Sequence, residues 1–170
     1  MSLNNINILY LGSNQLTCEG IGVLSNYLIN NHHLQHLSLE SNHIGDQGCS
    51  PLGIMLRNNN HLISLIIGGN NIGDQGAIEI SESLKINQTL QNLVLVNNNI
   101  TQSTLVSFID TLKLNQSLAR LSLNYRCSQL EEELINSFFS SNCQKFLFFF
   151  IALSMLIFKL FSIISFVSFF

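Results

Sequence analysis

Apolar positions along the first 140 residues recur at a step of 28. Ile6, Leu34, Leu62, Leu90 and Leu118 form one column, and Leu9, Leu37, Leu65, Leu93 and Leu121 the next. Leu11, Leu39, Ile67, Leu95 and Leu123 form a third. Asn14, Asn42, Asn70 and Asn98 then align, followed by Leu16, Ile44, Ile72 and Ile100. The unit reads LxxLxLxxNxI, and a fixed period of this size marks a repeat architecture. The alternating LxLxx stretch predicts a strand with one buried face. The Asn column lies where the chain leaves the strand. A side-chain amide both donates and accepts, so these four asparagines are expected to form a structural ladder satisfying buried backbone groups between units.

The second half of each unit has helical spacing. Leu24, Leu52, Ile80 and Phe108 stand four residues before Leu28, Leu56, Leu84 and Leu112, which puts both columns on one helix face. Asp46 and Asp74, each after Ile-Gly, are expected as N-caps, with Thr17 and Thr101 as their equivalents. Gly20, Gly48 and Gly76 recur early in the helix, where a small residue admits the neighbouring coil. Asn31, Asn59, Asn87 and Asn115 align just past it, a favoured place for a left-handed C-cap. Pro51 falls in or just beyond the first turn of the second helix, so that helix is expected to start late or fray.

A strand and a helix repeated in this way run roughly antiparallel within each unit, and successive strands stack in parallel. Helices are wider than strands, so the stack should curve with the strands inside. No unit can bury its own apolar face, and the core exists only between neighbours. The expected fold is therefore an α/β solenoid of about five units, starting near residues 6, 34, 62, 90 and 118. The repeat domain is expected over 1–141. The fifth unit is irregular: Arg126 stands at the ladder position, Ser128–Glu131 reads as a capping box, and Leu130, Leu134 and Phe138 give a helix face out of phase with the others.

The segment Asn42–Gly48 (NHIGDQG) and its copy Asn70–Gly76 (NNIGDQG) resemble leucine-rich repeats of the ribonuclease-inhibitor class. That class includes ribonuclease inhibitor, the sensor regions of NOD-like receptors and Ran GTPase-activating proteins. The resemblance covers residues 3–140. It implies a horseshoe leucine-rich repeat solenoid that binds a protein partner on its concave face. The nucleotide-binding module of NOD-like receptors has no counterpart, since no GxxxxGKS/T phosphate loop occurs. The resemblance does not carry the catalytic Arg or the acidic surface of a GTPase activator onto any residue here, and a GTPase-activator-type regulator ranks last among the readings.

Side chains flanking the buried strand leucines should point to the concave face. The candidate columns are Ile8, His36, Ser64, Asn92, Arg120 and Tyr10, Ser38, Ile66, Val94, Ser122, with Glu40 and Tyr125 just beyond the strands. Tyr10, Tyr125 and Arg120 are the residue types most often found as interface anchors. Catalysis has little support. His32, His33, His36, His43 and His61 are scattered over several repeat positions, and of these only His36, with Glu40, stands where a shared site could form. No catalytic residue, metal site or cofactor is expected.

Charged residues make up 10% of the chain, far below the ~25% typical of soluble domains, so Asn, Ser and Gln must carry the polar surface. A net charge of −3 argues against a nucleic-acid partner. The four cysteines have neither disulfide-like nor metal-ligand spacing and read as reduced, mostly buried thiols. With no basic, apolar leader at its start, the repeat domain is expected in the cytoplasm. The segment 142–170 obeys different rules. From Phe146 to Phe170 the only charge is Lys159, and the run is long enough to cross ~30 Å of hydrocarbon as a helix. Lys159 costs roughly 2.5–3.5 kcal/mol on insertion scales, which the Phe, Ile and Leu residues outweigh. The segment reads as a C-terminal membrane anchor with Lys145 on the cytosolic side, as a hydrophobic cap over the last repeat, or as translated thymine-rich non-coding sequence.

Overall fold

The computed structural model describes residues 5–101 and 104–123. The elements alternate: β1 (Ile8–Tyr10), α1 (Cys18–Leu28), β2 (His36–Ser38), α2 (Gly45–Asn58), β3 (Ser64–Ile66), α3 (Asp74–Leu84), β4 (Asn92–Val94), α4 (Leu105–Leu114) and β5 (Arg120–Ser122). The strands form one parallel sheet in chain order. Every pairing is offset by the repeat length, as in Leu9 to Leu37, Leu37 to Leu65, Leu65 to Leu93 and Leu93 to Leu121. The leucine-rich repeat solenoid expected from the period is the observed fold. The expected fifth-unit helix, its capping box and the segment 142–170 lie outside the described residues. Among the described residues no helix is long and apolar enough to cross a membrane.

The core lies between sheet and helices and is continuous from unit to unit. Leu34, Leu37, Leu39, Leu62, Leu65, Ile67, Leu90, Leu93 and Leu95 are buried from the strand side, and Leu52, Leu56, Ile80, Leu84 and Phe108 from the helix side. In the first unit the equivalents Leu9, Leu11, Leu16 and Leu24 are only partly buried, because no preceding coil covers them among the described residues.

The asparagine ladder forms in its interior members. Asn42 Oδ1 accepts the backbone N–H groups of Asn14 (3.0 Å) and Leu16 (2.9 Å), one unit back, while its Nδ2 donates to the carbonyls of Leu11 and Leu39. Asn98 repeats the pattern on Asn70, Ile72, Ile67 and Leu95. Asn70 donates to Leu39 and Gly68, but its buried Oδ1 has no partner. The coil it should serve is rearranged there: Gly45 has φ +59 and donates its N–H to the backbone carbonyl of Asn70, and α2 starts at Gly45. The expectation for Asn14 needs correction. Its side chain is exposed and reaches only the carbonyl of Gly12, because no coil precedes it among the described residues.

Asn31, Asn59, Asn87 and Asn115 are not left-handed C-caps. Asn59 and Asn115 are extended, with φ −86 and −81. All four are buried, and they form a second ladder in the helix-to-strand turns. Asn59, Asn87 and Asn115 each donate to two carbonyls of the preceding unit; for Asn59 these are Leu28 and Asn31. Each of the four accepts two N–H groups of its own turn, as Asn87 does from Thr89 and Leu90. Left-handed backbone does recur with the period, but just after the strand, at Ser13, Ser41, Gly69 and Asn97.

The aspartates act one unit away from where an N-cap acts. Asp46 lies inside the first turn of α2, and its Oδ1 accepts the N–H groups of Gly73 (2.6 Å) and Gly76 (3.0 Å) at the start of α3. Asp74 likewise receives the N–H and hydroxyl of Thr101, each at 2.6 Å, ahead of α4. Asp46 thus caps the helix of the following unit, where orphan N–H groups and the positive end of the helix dipole favour an anion, while Asp74 ties down Thr101 in the turn that leads into α4. Gly73, at the cap position of α3, has no side chain to cap it. A Cβ there would stand 3.1 Å from Asp46 Oδ2, and one on Gly76 only 2.6 Å from Asp46 Oδ1 and 2.8 Å from Cys49 Sγ. Gly48 is equally tight against Ile44, whereas Gly20 meets only the Leu16 side chain at 3.4 Å.

Pro51 does not delay or fray its helix. α2 runs through it for 14 residues and starts a residue earlier than α3 does in register. The carbonyl that loses its helical N–H partner is that of Gln47, an exposed residue in the first turn.

Candidate interaction surface

Each strand alternates, so the residues on either side of its buried central leucine point away from the helices. The sheet register sets these side chains in two rows, Ile8–His36–Ser64–Asn92–Arg120 and Tyr10–Ser38–Ile66–Val94–Ser122. The rows are those the period predicts. Their exposure is uneven. Tyr10 is 75% and Ile8 49% exposed, while Ser38 and Ser64 are 7% exposed. Ser38 and Ser64 therefore form the floor between the larger side chains of the two rows. His36, Ile66, Asn92, Val94 and Ser122 are half-buried, and Glu40 and Arg120 are exposed. Tyr125 lies outside the described residues.

Ile8, Tyr10, His36, Ser38, Ser64 and Ile66 line an open depression of about 240 Å³ across the first three strands. Its walls are mainly apolar and aromatic, and its floor carries two hydroxyls. Toward β5 the face turns polar. Asn92 donates to Ser64 Oγ at 2.8 Å, and Arg120 brings a positive charge. The surface is thus graded from apolar at β1 to polar and basic at β5.

Among the described residues no group of three or more His, Cys, Asp or Glu is placed to hold a metal ion. Cys18 and Cys49 are free thiols. Burial, with Asp46 and Glu79 nearby, pushes the Cys49 thiol up to about 12, so it stays protonated and is not a nucleophile at neutral pH. The histidines do not gather on the strand face, but His32 and His61, in successive helix-to-strand turns, meet with ring centroids 4.8 Å apart. Sequence reasoning missed this pair, since the two occupy different positions of the repeat.

A family model described as Leucine Rich repeat matches residues 30–53 and 58–81, two successive units of the solenoid. No curated protein matches the sequence. Among solved structures, the chain is similar to Leiomodin-1 Actin-Binding Site 2, at 20% identity and a TM-score of 0.69, covering 78% of this chain and 79% of that one. It is also similar to a tropomodulin C-terminal domain from Caenorhabditis elegans, at 15% identity and a TM-score of 0.70, covering 90% of both chains. At these identities the likeness is one of fold.

Proposed function

We propose that this protein is a non-catalytic interaction module that takes a protein partner on its strand face. The observation that carries the reading is the apolar depression beside Tyr10, whose ring is three-quarters exposed. An exposed aromatic next to a concave apolar pocket is the arrangement typical of interface anchors, and the polar end at Asn92 and Arg120 would supply orientation. The 28-residue unit, with its NxIGDQG segments, supports a ribonuclease-inhibitor type of repeat, a class that binds proteins in this way.

Actin is the first partner to test, because one similar structure is an actin-binding site of leiomodin-1. The chain is expected to bind actin in a direct binding assay. Tyr10→Ala and Ile66→Ser should weaken binding by ~10-fold or more, as hot-spot anchors do. Binding that both substitutions leave intact would place the partner on another surface, and no binding to actin would leave the strand face to a different protein.

A second reading is favoured by the composition of 146–170, with Lys159 as its single charge. It makes the module a membrane-anchored cytosolic adaptor. Recovery of the full-length chain in the soluble fraction, without aggregation, would refute it.

A further inference from the structure

We propose that His32 and His61 form a binding site for a divalent transition metal ion of the zinc class. The two Nδ1 atoms stand 3.4 Å apart. An ion coordinated tetrahedrally at 2.0–2.1 Å holds two ligand nitrogens about 3.3–3.4 Å apart, so the pair already has the separation of two zinc ligands. The same distance is long for a hydrogen bond between the rings, which prefers about 2.7–3.2 Å. The rings cross at 65°, with the two Nδ1 atoms converging rather than the faces stacking.

The backbone on which the rings stand is held from beneath. Asn31 Oδ1 accepts the N–H groups of His33 and Leu34, and Asn59 Oδ1 those of His61 and Leu62. Asn59 Nδ2 then ties the second turn to the first through the carbonyls of Leu28 (2.8 Å) and Asn31 (3.0 Å). Both asparagines are buried, so the spacing of the turns is set by the solenoid and not by the rings. Such pre-positioning spares the ion the work of ordering its ligands. His32 is exposed and His61 half-buried, which leaves a path for the ion. No third His, Cys, Asp or Glu joins them among the described residues, so the remaining positions would go to water or to a donor atom of a docked partner.

The test is a Zn2+ titration of the full-length chain, followed by calorimetry and by NMR of the histidine ring nitrogens. The expected result is one site at which the Nδ1 signals of His32 and His61 shift together. His32→Ala or His61→Ala should weaken that site by more than ~10-fold, the least that losing even a supporting partner costs a metal site. His33→Ala, on the adjacent residue of the same turn, should leave it unchanged. The double substitution sets the background from the thiols, and thermal melts without metal should show all variants folded. Ring nitrogens that do not move, equal weakening by His33→Ala, or wild-type binding no tighter than that of the double variant would each overturn the proposal.

Discussion

Replacing Asp46 by Ala removes a carboxylate from one helix and should loosen the start of the next. Asp46 Oδ1 accepts two backbone N–H groups of α3, at 2.6 Å from Gly73 and 3.0 Å from Gly76. Hydrogen bonds to a charged group are worth about 1.5–3 kcal/mol each. These two share one oxygen on a half-buried side chain, so their sum is not attained. Loss of a helix N-cap costs about 0.5–2 kcal/mol, and the charge on the helix dipole adds about 0.3–1. The expected loss for Asp46→Ala is therefore about 2 kcal/mol. Asp46→Asn, which keeps an acceptor oxygen and loses the charge, should cost about half as much. Urea denaturation measures the magnitude, and native-state hydrogen exchange measures the place. The Gly73 and Gly76 amides should exchange faster in Asp46→Ala, while the first turn of α2 should not change. A loss below ~0.5 kcal/mol, or faster exchange within α2 instead, would refute capping across the repeat boundary and return Asp46 to its own helix.

Gly76→Ala places a methyl 2.6 Å from Asp46 Oδ1 and 2.8 Å from Cys49 Sγ. Denaturation should show a cost of about 1–3 kcal/mol, smaller in the Asp46→Ala background because one clash is then gone. Asn87→Leu strips partners from the carbonyls of Leu56 and Asn59 and the N–H groups of Thr89 and Leu90. At about 1–3 kcal/mol for each buried group it should lose at least ~4 kcal/mol, against under ~1 for Asn14→Leu at an exposed site; equal costs would remove the second ladder from the account. Cys49, whose thiol is raised to about 12, should resist alkylation by iodoacetamide at pH 8 until the chain unfolds. Its folded value lies above the ordinary 9.0, so its contribution is complete below pH 9 and is lost as pH rises toward 12. Alkaline unfolding that is unchanged in Cys49→Ala, after allowance for the deleted sulfur, would contradict this.

Much of the molecule was legible in the residue pattern. Three apolar columns and one asparagine column at a constant step specify the strand, its buried face and the register, since a slip of one residue would turn every leucine outward. The rows of the strand face follow from the same register. Which members of a row reach solvent was not legible, because Ser38 and Tyr10 share a row but differ in what flanks them. Two of the expectations fail for the same reason. Asp46 was assigned to its own helix and Asn59 to its own helix end, although both side chains bond to an adjacent unit. Local rules for caps rank residue types at a position, but they do not say which coil the side chain will face.

The sequence by itself therefore determined the period, the strand–helix unit, the parallel register and the buried columns, because periodic burial is a one-dimensional property that each unit repeats. Only the tertiary structure decided the second asparagine ladder, the cross-unit cap, the depression beside Tyr10 and the meeting of His32 with His61. These depend on distances between residues about 28 positions apart in the chain, and such distances exist only once neighbouring coils have stacked.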